Sequence, residues 1–275
     1  MIANPMPDRR PRLIGLPYDA GCSFVHGPAK APPLIRAALH SPASNAFAQG
    51  LRDVFGPGGL ADAGDLEFKG EDGARSLIES FVAEALADGW RALSIGGDHS
   101  VTYPAVRAVA RAHGPVTILH VDAHPDLYDV FEGDCYSHAC PFARIMEEGL
   151  ATRLVQVGIR AMNPPQQAQA DRFGVEVIDM AAWLGGARPR TDGNVYLSID
   201  LDGLDPAFAP GVSHPEPGGL ATREVVALVQ ELEGDLVAAD VVEYNPRRDV
   251  GGVTAAVAAK IVKEIAGRMM VEATA

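Results

Sequence analysis

Along the chain, short runs of β-branched and other apolar residues alternate with longer stretches in which apolar positions recur at helical spacing. The runs are Arg12–Pro17, Arg91–Gly97, Val116–His124, Arg153–Arg160, Val175–Asp179, Asn194–Asp202 and Leu236–Pro246. Between them the pattern predicts helices over Pro32–Leu39, Gly73–Ala87, Pro104–Arg111, Pro141–Glu148, Pro165–Arg172, Thr222–Glu231 and Val253–Met270. Several of these open on a proline, whose fixed φ suits a first helical turn. The alternation is that of an α/β protein. Near-continuous apolarity within the runs predicts strands buried on both faces, as in a parallel sheet covered by helices. Connections are short and no linker or repeat interrupts them, so residues 1–275 read as one domain.

Four of the apolar runs end in charged or metal-competent residues: Asp98-His99, Asp122 to Asp126, Asp200 to Asp205, and Glu243 with Asn245. Ligands of open α/β sheets sit outside the carboxyl ends of the strands, where loops converge over a rigid platform. These residues therefore mark the candidate site. Asp122, His124 and Asp126 alternate after an apolar run, so an extended chain projects them from one face, and Pro125 favours that extension. Asp200 and Asp202 repeat the pattern, and His99 follows a Gly-Gly pair that permits close backbone approach. Four carboxylates beside two imidazoles cannot all stay ionised without cations, and two divalent ions would balance them. Oxygen-rich ligation with one imidazole per ion and no thiolate favours manganese, with nickel, cobalt or iron as alternatives, over structural zinc. A water between two dications loses its proton near neutral pH, which supplies a nucleophile.

Composition narrows the surroundings. With 47% hydrophobic and 21% charged residues, the chain has ample apolar material for a folded core. Asp and Glu number 36 against 23 Lys and Arg, a net charge of −13 that disfavours a nucleic-acid backbone. Three cysteines, Cys22, Cys135 and Cys140, without a CxxC pair, predict free thiols in a reducing compartment, the cytoplasm. No apolar segment follows the basic residues near the start and no run of 18 apolar residues occurs, so neither a secretory leader nor a membrane span is expected.

The segments SIGGDHS (94–100), HVDAHPDLYD (120–129) and SIDLDGLDPAFAPG (198–211) resemble the three signatures of the ureohydrolase family, the arginases and agmatinases. FEGDCYSHACPFARIMEEG (131–149), APGVSHPEPGGL (209–220) and ADVVEYNPRRD (239–249) are similar to the plant-type arginase branch. The resemblance implies a three-layer α/β/α sandwich around a mainly parallel sheet, two Mn2+ per subunit and a homotrimer or homohexamer. It implies that Asp122 and Asp200 bridge the ions, that His99 and Asp126 complete one, and that His124 and Asp202 complete the other. Asp126 is also matched to a proton-relaying role, His138 to the proton shuttle and Glu243 to the acid that orients a guanidinium group. The implied reaction is hydrolysis of arginine to ornithine and urea. Agmatine to putrescine and urea, or another guanidino or formimino C–N hydrolysis, is the alternative. A binuclear phosphoesterase is disfavoured because no Arg or Lys clamp lies beside the ligand motifs, and a non-catalytic relative because every expected ligand is present.

Substrate choice is divided. Asp134, if it lines the pocket, repels an α-carboxylate and favours a substrate ending in an amine or hydroxyl, whereas the plant-type wording favours arginine. Asn163 stands where animal arginases carry an acid that reads the α-amino group. His214, between Ser213 and Pro215, reads as an exposed loop residue.

Overall fold

The computed structural model describes residues 10–68, 70 and 73–271. Its strands are β1 (Pro11–Gly15), β2 (Phe47–Ala48), β3 (Arg52–Asp53), β4 (Ala61–Asp65), β5 (Arg91–Ile95), β6 (Val116–Val121), β7 (Ala151–Ile159), β8 (Glu176–Asp179), β9 (Asn194–Asp200) and β10 (Asp235–Val242). The α-helices are α1 (Ala31–Leu39), α2 (Ala74–Leu86), α3 (Thr102–His113), α4 (Pro141–Glu147), α5 (Pro164–Phe173), α6 (Met180–Leu184), α7 (Thr222–Glu231) and α8 (Val253–Met269). Eight strands form one sheet in the order β4-β1-β5-β10-β9-β6-β7-β8, and every pairing in it is parallel. Strands β2 and β3 form a separate antiparallel pair.

Period-two alternation divides each central strand between two apolar layers. Leu93, Leu119, Leu197 and Val241 pack with α1, α6, α7 and α8 on one face. Ala92, Ile118, Tyr196 and Val242 pack with α2, α3, α4 and α5 on the other. The result is the expected three-layer sandwich. Among the described residues, no helix is long and apolar enough to cross a membrane.

The seven expected strands are all present, with ends displaced by a few residues. The predicted Val116–His124 run stops pairing at Val121, and Asn194–Asp202 at Asp200, because the chain leaves the sheet where its side chains turn to the site. Strand β4 has no counterpart among the expected strands: its ADAGD segment is largely exposed and lies at the sheet edge, where no apolar run is required.

Strand order determines what the fold can place together. The four strands that end in candidate residues, β5, β10, β9 and β6, are adjacent at the centre of the sheet, although they are far apart in sequence. The loop after β5 depends on glycine. Gly97 has φ +87°, and a Cβ there would lie 2.7 Å from the Leu16 carbonyl oxygen and 2.9 Å from that of Tyr18. That contact leaves room only for hydrogen and lets the chain turn sharply into His99.

Candidate metal centre and substrate cavity

The ends of β5, β6 and β9 bring His99, Asp122, His124, Asp126, Asp200 and Asp202 together. His99 begins the short 3-10 turn after β5, where the Asp98 side chain caps the backbone. Its Nδ1 lies 3.1 Å from one carboxylate oxygen each of Asp122, Asp126 and Asp200. Despite this crowding, the buried nitrogen makes no hydrogen bond. Three carboxylate oxygens around one imidazole nitrogen have the spacing of atoms that share an ion, since ligands about 2.1 Å from a cation and at right angles lie about 3 Å apart. A second group repeats this arrangement more loosely. His124 Nδ1 is 3.2 Å from Asp202 Oδ2 and 3.4 Å from Asp122 Oδ1. Asp122, His124 and Asp202 thus form a group able to hold a metal ion.

Electrostatics supports the same reading. Burial and the charges of Asp202 and Asp122 push the Asp200 carboxyl well above the usual range. Burial and Asp122 push Asp202 up to about 7. Without cations, these acids retain protons that divalent ions would displace. The residues fit a pair of such ions.

His120, absent from the expected ligand set, also faces the cluster, and by proximity alone it groups with His99 and Asp122 as a possible ligand. Its hydrogen bonds argue otherwise. Gln156 Nε2 donates to His120 Nδ1 at 3.0 Å and to the Pro125 carbonyl at 2.6 Å, so His120 Nε2 carries the proton and donates to Asp122 Oδ2 at 2.8 Å. Both ring nitrogens are occupied. His120 therefore orients Asp122 rather than joining it as a ligand.

Glu243 follows β10 with φ +63°, and Asp126 has φ +50°. Left-handed backbone at two non-glycine residues beside the cluster is strain of the kind found where a side chain must be aimed. Glu243 Oε1 accepts from the His99 backbone N–H at 2.9 Å and lies 3.1 Å from His138 Nδ1. Its Oε2 is buried and has no hydrogen-bond partner among the described residues. Burial opposes the Glu243 charge, but the bond to His138 and its charge hold the carboxyl below the usual range. Conversely, burial opposes the His138 imidazolium, but Glu243, with help from Asp126 and Asp98, lifts its pKa to about 9. His138 Nε2 reaches Ser23 Oγ at 2.9 Å.

A cavity of about 590 Å3, open to solvent, is lined by the cluster residues His124, Asp126, Asp200 and Asp202 together with His138 and Glu243. Its outer wall includes Ser23, Tyr128, Phe131, Asn163 and His214. Asn163 caps α5 through Oδ1, which accepts from Gln166 N at 3.2 Å, and its Nδ2 donates to the Tyr128 hydroxyl. Two expectations change here. Asp134 is not in the wall: its Oδ1 accepts from Tyr136 N at 2.8 Å, closing an exposed turn. His214 is not merely a loop residue, since it is part of the wall and its ring centre is 5.1 Å from that of His138. Ser23 lies outside the motifs singled out above, and Tyr128, although within HVDAHPDLYD (120–129), is not among the expected site residues.

An all-parallel α/β/α sandwich with imidazole and carboxylate side chains converging at its carboxyl edge defines an α/β protein with a candidate two-ion centre. A model described as the arginase family matches residues 10–267, and the chain belongs to that family. It is 46% identical over 275 residues to arginase 1, mitochondrial, of Arabidopsis thaliana, covering 94% of this chain and 80% of that one. It is 47% identical over 274 residues to arginase 2, chloroplastic/mitochondrial, of the same plant, covering 94% and 80%. The solved arginase from Medicago truncatula superposes with a TM-score of 0.90 at 43% identity, covering 94% of this chain and 87% of that one. These relatives overturn the cytoplasmic expectation: their names place them in mitochondria or chloroplasts, which points to an organelle. The expectation fails because free cysteines indicate only a reducing environment, and the cytoplasm is not the sole one. Cys22, Cys135 and Cys140 are free in the structure.

Proposed function

We propose that this chain hydrolyses the guanidino group of arginine, giving ornithine and urea, with two Mn2+ per subunit. The observation that carries this reading is the unpaired, buried Oε2 of Glu243 at the wall of a cavity that also contains the carboxylate–imidazole cluster. A lone buried carboxylate oxygen requires a donor, and a guanidinium group brings several N–H donors together with a permanent positive charge.

His99, Asp122, Asp126 and Asp200 would hold one ion, and Asp122, His124, Asp200 and Asp202 the other. Such ions, when bound, lower the pKa of water enough to make it a nucleophile near neutral pH. Glu243 anchors the guanidinium group with its carbon beside the cluster. Water adds to that carbon and the C–N bond to the ornithine side breaks, so the departing amine needs a proton. Asp126, at the cavity surface, relays it, and His138, held protonated by Glu243, exchanges protons with solvent through the side on which Ser23 lies.

The outer wall favours arginine over agmatine. With Asp134 turned away, none of its side chains carries an acid to pair with a terminal amine. The Tyr128 oxygen accepts from Asn163, leaving its own proton to donate to an α-carboxylate. We further propose that the whole chain is one catalytic domain and assembles as a homotrimer or homohexamer. The deciding assay is urea release from arginine and agmatine by Mn2+-loaded protein. Arginine should be preferred by at least about tenfold in kcat/KM, the value of one well-placed hydrogen bond to a charged group. No urea from either compound would refute the reading, and a preference for agmatine would refute the assignment of the outer wall.

A further inference from the structure

The polar side chains beneath His99 continue into the apolar layer between the sheet and α3, where a core of purely structural purpose needs none. Asp240, on β10, is fully buried. Among the described residues it forms no ion pair. Its Oδ2 accepts from the Thr102 hydroxyl at 2.7 Å and the Tyr196 hydroxyl at 2.6 Å, and its Oδ1 accepts from the Ser198 hydroxyl at 2.7 Å. Ser198 Oγ in turn lies 2.9 Å from His99 Nε2.

Proton counting fixes the direction of this chain. A hydroxyl has one proton to donate, and Ser198 donates its own to Asp240 Oδ1. Since Ser198 gives its proton to Asp240, only its lone pairs face His99, so His99 Nε2 must donate. Nδ1 is the nitrogen among the three carboxylates, and a neutral ring with Nε2 protonated keeps its lone pair there. Thr102 and Tyr196 occupy the second oxygen of Asp240 and prevent it from turning away from Ser198.

We propose that Ser198 and Asp240 are positioning residues for metal uptake: they fix the His99 tautomer and ring plane so that Nδ1 presents its lone pair to an ion. The proposal rests on the two-ion reading of the site. It assigns a function to a buried acid far from the cavity surface, and it concerns the His99 half of the cluster only. Among the described residues His124 has no such connection: its ring is partly exposed, and its Nδ1 lies beside Asp122 and Asp202.

The test is calorimetric titration of metal-free wild type, Ser198→Ala and Asp240→Asn with Mn2+, with electron paramagnetic resonance of the loaded proteins and melting curves of the metal-free ones. Wild type should take up two ions per subunit and show the signal of a spin-coupled pair. Ser198→Ala removes the acceptor of Nε2–H. It should weaken one of the two binding events by about 10- to 100-fold, the usual effect of losing such a partner, while the other is unchanged. At a free Mn2+ concentration that saturates wild type, its spectrum should be that of isolated ions. Asp240→Asn should act in the same direction, since an amide able to donate to Ser198 can reverse the chain of bonds. Two ions bound by Ser198→Ala with wild-type affinity and a coupled spectrum would overturn the proposal and leave the two-ion reading intact. The proposal is equally overturned if Ser198→Ala lowers only the metal-free melting temperature, which would make the pair part of core packing. Failure of wild type to bind Mn2+ would overturn the two-ion reading and this proposal with it. Should Asp240→Asn not fold, Ser198→Ala decides alone.

Discussion

The two halves of the cluster are built differently. The His99 ring is fully buried, edge-on to Phe142 at 5.3 Å between ring centres, and bonded through Nε2 to a strand in the middle of the sheet. The His124 side chain is 25% exposed, belongs to the loop after β6 and lies across the cavity from His214, 6.2 Å between ring centres. One imidazole is aimed by the core and the other by its own loop. Geometry set by the core is rigid but exposed to any change in packing, whereas geometry set by a loop can adapt to what enters the cavity. Asp122 belongs to both halves, touching His99 through Oδ2 and His124 through Oδ1.

That sharing gives the largest expected effect. Asp122→Asn should reduce ion uptake in both halves and lower urea release by about 10³-fold or more, the several kcal/mol that metal activation supplies. Metal content and initial rates check this. Loss of only one ion would show that the halves are independent. A smaller loss is expected for Glu243→Gln, which keeps the shape but not the charge: kcat/KM should fall about 10- to 100-fold with two ions still bound. Unchanged kcat/KM would remove Glu243 from guanidinium recognition.

Smaller still is a pH effect on stability. The folded pKa of His138, about 9, lies above its reference value of 6.5. The stabilisation from its pairing with Glu243 is therefore fully present below about pH 6.5 and is lost as pH rises through about 9. In metal-free protein, the stability difference between wild type and His138→Asn should shrink over that window by at most about 3 kcal/mol. Denaturant melts at pH values of about 6, 7.5 and 9.5 measure it, and a pH-independent difference would contradict the pairing. The smallest effect is expected at Asp134. Because its carboxyl closes a turn outside the cavity, Asp134→Asn should leave the arginine-to-agmatine preference within about twofold, as competition assays would show.

What is legible in the sequence depends on where polarity falls. Asp122, His124, Asp126, Asp200 and Asp202 stand out because they follow apolar runs at the ends of strands, where polar residues at alternating positions have few structural uses. His120, Ser198 and Asp240 lie inside such runs, and each looks like a tolerated interruption of a core strand. A signal is nevertheless present: His120 and Ser198 each stand two positions before a proposed ligand, Asp122 and Asp200, and period two puts them on the same face of the sheet. Asp134 differs from its expected place because motif position does not determine which way a loop side chain points. Short exposed pieces such as β4 leave no pattern, since they bury too little apolar surface.

The central adjacency of β5, β10, β9 and β6 also constrains how the molecule is made. Residues 92–95 pair with residues 238–241, and β10 in turn holds β9 against residues 117–121. Such long-range parallel pairing closes large loops before any contact repays them, so it forms slowly and late. During synthesis, the segment ending in His99 can pair with β1 at once but must wait for β10, which begins only at Asp235, before its second neighbour exists. Metal capture should accordingly be among the last events of folding. A time course of refolding should show secondary structure well before any ion is bound, which makes metal uptake a reporter of the completed sheet.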